Sequence, residues 1–103
     1  MERSLILPIY KAEGFLRKVL ETLDADLSHE PGLWELILVI DASPDRSEEI
    51  CRNFAAAPRK YPVKVLVNET NFGKGGTVRK GMLAASGRIR IFTDCDLAYP
   101  FSE

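Results

Sequence analysis

Trp34-Glu35-Leu36-Ile37-Leu38-Val39-Ile40-Asp41-Ala42-Ser43-Pro44-Asp45 is the stretch whose reading decides the fold. From Trp34 to Ile40 it is apolar except for Glu35. Such a run suits a strand covered on both faces, as in a parallel sheet. Its tail changes character at once. Ser43 is a natural N-cap, Pro44 suits the first helical position, and Asp45 suits the positive end of a helix. A buried strand therefore runs straight into a helix that starts at Ser43.

The same alternation extends in both directions. Upstream, residues 4–9 form a short apolar run ended by Pro8-Ile9-Tyr10. Residues 14–27 place Phe15, Leu16, Val19, Leu20, Leu23 and Leu27 on one helical stripe, with Arg17, Lys18 and Glu21 opposite. Residues 28–32, with Pro31-Gly32, read as a loop that carries His29 at the surface. Downstream, Ile50, Cys51, Phe54 and Ala57 give the second helix its buried side, and Pro58 ends it. Residues 63–67 form a third strand. Residues 74–86 form a third helix with Val78, Met82 and Ala85 on one face and Gly87 as its stop. Residues 88–93 alternate charged and apolar, a strand with one drier face. Strand and helix in alternation predict an α/β fold: a Rossmann-like parallel sheet with right-handed crossovers and helices on both faces.

Composition narrows the function. The 103 residues fit one domain, and 46% apolar with 28% charged residues is ordinary globular composition. Lys plus Arg number 14 and Asp plus Glu 15, a net charge of −1, which leaves no electrostatic footprint for nucleic acid. No apolar run approaches the roughly 18 residues of a membrane span. Two cysteines, Cys51 and Cys95, and a start without a signal peptide suit a reducing compartment. The expected location is cytoplasmic, or the cytoplasmic face of a membrane for a longer parent.

In an open parallel sheet, ligands bind beyond the carboxyl ends of the strands. That rule brings residues 8–13, 41–45, 68–76 and 94–98 to one edge. Asp94-Cys95-Asp96 follows the apolar strand directly. Two carboxylates spaced i, i+2 on an extended backbone project to one side and suit a hard divalent cation on a diphosphate. Two loop acids that only solvate a strand end are the plainer reading of that pair. Asp41 can accept from an N–H on a nucleobase edge. Asn71-Phe72-Gly73-Lys74-Gly75-Gly76 offers free N–H groups at a helix start, which favour phosphate, while Gly75 and Gly76 equally suit tight helix–sheet packing. It lacks the spacing of a P-loop and of the dinucleotide fingerprint. Tyr10 can stack on a base or belong to the core rim.

Taken in order, these segments resemble glycosyltransferase family 2, in its N-terminal, nucleotide-sugar-binding half with the GT-A fold. Ser4-Leu5-Ile6-Leu7-Pro8-Ile9-Tyr10-Lys11-Ala12-Glu13 is similar to the family's opening strand and its Pro-x-Tyr-Asn-x-Glu turn. Residues 34–45 are similar to the strand that leads into Asp-Asp-Gly-Ser-x-Asp. Residues 71–81 resemble the Gly-Lys-Gly segment of members that make polyprenyl-phosphate sugars. Asp94-Cys95-Asp96-Leu97-Ala98-Tyr99-Pro100 resembles the Asp-x-Asp motif and its Leu-x-x-Pro tail. Three positions depart from the pattern: Lys11 replaces the usual Asn, Ile40 the first Asp, and Ala42 the Gly.

The resemblance implies roles. Pro8 and Tyr10 line a base and ribose pocket, Glu13 contributes a contact at the turn, and Asp41 reads the base. Lys74 and Arg79 face phosphate. Asp94 and Asp96, with Cys95 between them, hold the ribose and the Mg²⁺ or Mn²⁺ bridging the diphosphate. The donor is a UDP- or GDP-sugar, and the acceptor class is a polyprenyl phosphate. The family's general base lies further along than residue 103, so residues 1–103 read as a partial domain, the donor half of a larger unit. The outer edge of its last strand would invite a second copy. Two other readings compete. One is a non-catalytic nucleotide-binding module. The other is a phosphohydrolase with Asp94 as nucleophile and Asp96 as acid, which wants Thr or Val where Ala98 stands.

Overall fold

The computed structural model describes residues 2–30 and 32–93. The alternation becomes β1 (Arg3–Ile9), α1 (Leu16–His29), β2 (Trp34–Asp41), α2 (Ser47–Ala56), β3 (Val63–Asn68), α3 (Gly73–Ala84) and β4 (Ile89–Phe92). All strand pairs are parallel, in the order β3-β2-β1-β4. The chain steps from β1 to β2 to β3, then returns across the sheet through α3 and sets β4 on the far side of β1. That reversal makes the gap between β1 and β4 a topological switch point.

Helices cover both faces, as the sequence predicts. On one face α1 and α2 bury Leu16, Val19, Leu20, Leu23, Leu27, Ile50 and Cys51 against Leu5, Leu7, Ile9, Leu36, Leu38 and Ile40. On the other, Ile6, Ile37 and Val39 meet the end of α3 at Met82 and Ala85. β2 is buried from Glu35 to Asp41, which explains its unbroken apolar run.

α3 docks differently from α1. Of the expected Val78, Met82 and Ala85 face, Met82 and Ala85 pack on the sheet, while the fully buried residues within the helix are Thr77 and Gly81 on the same stripe. A Cβ at Gly81 would lie 2.5 Å from Ile6 Cγ2 and 3.2 Å from Val39, so a glycine lets the helix lie close on the sheet. α3 is held at its ends as well. Phe72 N and Gly73 N donate to the Asp41 carboxylate at 2.8 and 3.0 Å. At the other end Ser86 N donates to Glu35 Oε2 at 2.6 Å. Both acids stand on the α3 side of β2. From Glu35 to Asp41 is six strand rises, about 20 Å, and the twelve residues of α3 span about 18 Å, so strand and helix match in length.

Glu35 is 1% exposed and also accepts from Ser4 Oγ at 2.6 Å and from Lys64 Nζ at 3.1 Å. Burial pushes its carboxyl up, but those donors outweigh it and hold the group below the ordinary carboxylate value. The Ser86 bond also explains why α3 stops at Ala84, short of the predicted Ser86. Gly87 is not a left-handed stop. Its N–H donates to Ser4 Oγ at 2.8 Å, and a Cβ there would meet Ser4 N at 2.6 Å.

Three further expectations are corrected. α1 begins at Leu16 and runs to His29, so His29 ends a helix instead of sitting in a loop. α2 begins at Ser47, with Arg46 and not Ser43 in the cap position, because the Ser43 side chain is engaged by the neighbouring turn (below). β4 has no drier face, since all four of its residues are exposed and no described helix covers them. No described helix is long and apolar enough to cross a membrane.

Gly87→Ala should cost about 1–3 kcal/mol, because the added methyl meets backbone that cannot yield cheaply. Urea denaturation measures it, and an unchanged midpoint would remove the close-approach role.

Candidate functional site

The carboxyl ends of the strands form the edge where the sequence places the chemistry. At the switch point the ladder between β1 and β4 is short. Ile89 N donates to Glu2 O and Thr93 N to Ile6 O, so the even-numbered residues of β1 turn their backbone toward β4. Pro8 is next in that series and has no N–H to give. It lies buried within β1, its register partner on β2 being Val39. β1 therefore offers no donor toward β4 at this point. Tyr10 follows directly, 45% exposed, with Lys11 Nζ 5.4 Å from its ring centre. It stands on the open edge and not in the core rim.

The turns after β1 and β2 are alike. Lys11 has φ +50° and Ala42 φ +52°, left-handed values that cost a residue with a Cβ about 1–2 kcal/mol each. The β1–β2 register ends with Ile9 paired to Ile40, and Lys11 and Ala42 each follow that pair by two residues. A ladder of side chains bridges the two turns. Lys11 N donates to Ser43 Oγ at 2.9 Å, Ala12 N to Ser47 Oγ at 3.2 Å and Glu13 N to Asp45 Oδ2 at 3.2 Å. Asp45 Oδ1 accepts from Ser43 Oγ at 2.5 Å and from Ser47 N at 3.0 Å. Glu13 Oε1 completes the exchange by accepting from Arg46 N at 3.1 Å. The expected Ser43 cap is thus replaced: Asp45 and Glu13 serve the start of α2, and Ser43 serves the neighbouring turn. Burial pushes the Asp45 carboxyl up, but the Ser43 and Ser47 hydroxyls and the N–H groups of Ser47 and Glu13 bring it down to about 2.

On the other side of β2, Asp41 is 6% exposed. Its Oδ1 accepts from Asn68 Nδ2 at 2.9 Å and Phe72 N at 2.8 Å, and its Oδ2 from Gly73 N at 3.0 Å. Burial raises its pKa, yet the Phe72, Asn68, Thr77 and Gly73 donors prevail and lower it. The carboxylate therefore occupies two of the helix-start N–H groups that the sequence offers to phosphate. It can read a base only by exchanging one of these partners. Asn68 Oδ1, buried beside it, has no partner among the described residues. Asn68 and Thr77, which carry this arrangement, lie in the segments 68–76 and 71–81 that the sequence brings forward, but the sequence gives neither residue a role of its own.

Lys74 is exposed in the first turn of α3, and its Nζ lies 5.9 Å from the Phe92 ring centre, so it spans from α3 to the end of β4. Phe72 and Phe92, 55% and 45% exposed, are aromatic groups at strand and loop ends to which the sequence reading gave no role. Gly75 makes no close approach, so it does not serve helix–sheet packing. Arg79 is exposed on α3, about 200° around the helix from buried Thr77, and is not brought to the edge. Glu13 reaches the edge as a link to α2. Asp94, Cys95 and Asp96 lie outside the described residues, and among the described residues no three His, Cys, Asp or Glu side chains gather to hold a metal.

A parallel sheet with one switch point and paired βα turns at its carboxyl edge is an open α/β sheet of the kind that binds ligands at that edge. Comparison makes this specific. Residues 4–103 match Glycosyl transferase family 2, and the chain belongs to that family. It is 35% identical over 100 residues to the undecaprenyl-phosphate 4-deoxy-4-formamido-L-arabinose transferase of Pectobacterium carotovorum, covering 97% of this chain and 30% of that protein. It is 34% identical to the dolichyl-phosphate beta-glucosyltransferase of Drosophila melanogaster, covering 100% of this chain and 33% of that protein. The chain thus spans about a third of the length of these relatives. Among solved structures, S. aureus TarS residues 1–349 in complex with UDP aligns with a TM-score of 0.80 at 28% identity, over 93% of this chain and 28% of that one. The mannosyltransferase PcManGT of Pyrobaculum calidifontis, in complex with GDP-Man and Mn²⁺, aligns with a TM-score of 0.78 at 22% identity, over 92% of this chain and 27% of that one. The fold is that of GT-A glycosyltransferases.

Because the Asp45 pKa is lowered from 3.8 to about 2, its contribution to stability is full above the unfolded value and is lost as pH falls through that window. Unfolding free energies of wild type and Asp45→Asn should differ clearly at about pH 6 and converge near about pH 2. A difference independent of pH would contradict the charged clamp.

Proposed function

We propose that this chain is the donor-binding part of a nucleotide-sugar-dependent glycosyltransferase whose acceptor is a polyprenyl phosphate. The observation that carries the reading is the switch point, where Pro8, Tyr10 and the Asp41 and Asp45 turns meet beyond the strand ends, on a fold shared with a UDP complex. The acceptor class rests on relatives named for undecaprenyl and dolichyl phosphates.

In this assignment the nucleoside stacks on Tyr10 beside Pro8, and the diphosphate lies toward Lys74. Asp41 serves by placing the loop that carries Phe72 and Lys74. Asp94 and Asp96, spaced i, i+2 directly after β4, are the acids suited to hold Mg²⁺ or Mn²⁺. A divalent ion there supplies charge neutralisation for a diphosphate leaving group. In the whole protein an acceptor phosphate oxygen attacks the anomeric carbon and the nucleoside diphosphate departs, a step governed by positioning and electrostatics.

Calorimetry with UDP and GDP, with and without Mn²⁺, tests the reading. Asp96→Ala should abolish metal-dependent binding, and equal affinity of variant and wild type in Mn²⁺ would refute the metal assignment. We also propose that the outer edge of β4, whose four residues are all exposed, pairs with a second copy of the chain. Sedimentation should show dimer growing with concentration, and a strictly monomeric profile at high concentration would exclude it.

A further inference from the structure

We propose that Asp45 is a positioning residue, which holds the turn carrying Tyr10 and Lys11 in its left-handed form from the neighbouring βα loop. Its consequence for nucleotide affinity rests on the donor-site reading above, whereas the clamp itself rests on geometry alone.

The geometry is cooperative. Lys11, Ala12 and Glu13 present three successive N–H groups, and Ser43, Ser47 and Asp45 meet them one for one. A serine hydroxyl has one proton. Ser43 gives its proton to Asp45 Oδ1. With that proton committed, the Ser43 oxygen turns lone pairs toward the N–H of Lys11. Asp45 thus accepts from Glu13 directly, orients the acceptor of Lys11, and through Ser47 N holds the residue whose hydroxyl meets Ala12. Glu13 Oε1 ties the turn back to Arg46 N, so the two loops hold each other reciprocally.

The clamp has something to resist. Lys11 and Ala42 both hold left-handed values that side chains with a Cβ disfavour. Without Asp45, the turn after β1 would relax toward ordinary φ values and carry Tyr10 with it. A site whose competent form is only partly populated binds more weakly in proportion to that fraction.

Two readouts on the chain test this. In amide hydrogen exchange, Asp45→Ala should strip protection from Lys11, Ala12 and Glu13 by about tenfold or more while the β2 and β3 amides keep theirs. Retained protection at those three amides, or a uniform loss across the sheet, overturns the clamp. In calorimetry with UDP and with GDP in Mn²⁺, Asp45→Ala should bind about tenfold more weakly, and adding Lys11→Gly should recover at least about a threefold share, since glycine accepts the left-handed turn after β1 unaided. Unchanged affinity in Asp45→Ala, or no recovery on adding Lys11→Gly, overturns the positioning role. Wild type that binds neither nucleotide refutes the donor-site reading, and the exchange result then decides the clamp by itself.

Discussion

Carboxylates on and just after one strand, accepting backbone N–H groups from its neighbours, hold α3 on this sheet and bind the turns at its carboxyl edge together. Glu35 and Asp41 grip the two ends of α3. Asp45, a few residues on, grips the turn after β1. β2 lies between β3 and β1, so its acids reach to either side. α1 needs no such help, because five aliphatic side chains bury it. α3 draws on it, because a glycine-rich helix with Thr77 and Gly81 fully buried makes its apolar contact near one end, at Met82 and Ala85. Hydrogen bonds to a charged acceptor are the stronger kind, about 1.5–3 kcal/mol each, and several together supplement that contact.

The same arrangement accounts for two departures from the family pattern. Lys11 stands where Asn is usual, and Ala42 where Gly is usual. Asn and Gly are residue types that tolerate positive φ, and both positions prove to be left-handed. The backbone has kept the conformation its usual residues favour, and the side-chain ladder from residues 43, 45 and 47 holds it there.

Much of this was legible in the sequence. The apolar run of β2 announced a strand buried on both faces, and the α1 stripe announced its helix, because each signal came from side chains that are buried. The face of α3 with Met82 and Ala85 was legible, but Thr77 and Gly81, its fully buried residues, carry no hydrophobic signal. The start of α2 lies three residues later than expected, with Arg46 and not Ser43 in the cap position. Whether a serine caps its own helix or a neighbouring turn depends on strand order, which local sequence does not hold. For the site, Tyr10 and Lys74 stand at the expected edge. Arg79, one and a half turns past the start of α3, faces away for a reason of helical phase that its motif alone does not express. Asp41 is expected from the sequence to read a base, and in the structure its partners are the chain's own N–H groups.

A crystal structure with GDP or UDP and Mn²⁺ bound tests the central claim most directly. The account predicts the nucleotide beyond the carboxyl ends of β1, β2 and β4, with Lys11 and Ala42 still left-handed and Asp45 still accepting from Glu13 and Ser47. A nucleotide bound elsewhere, or one bound at this edge with both turns relaxed and Asp45 released, would contradict it.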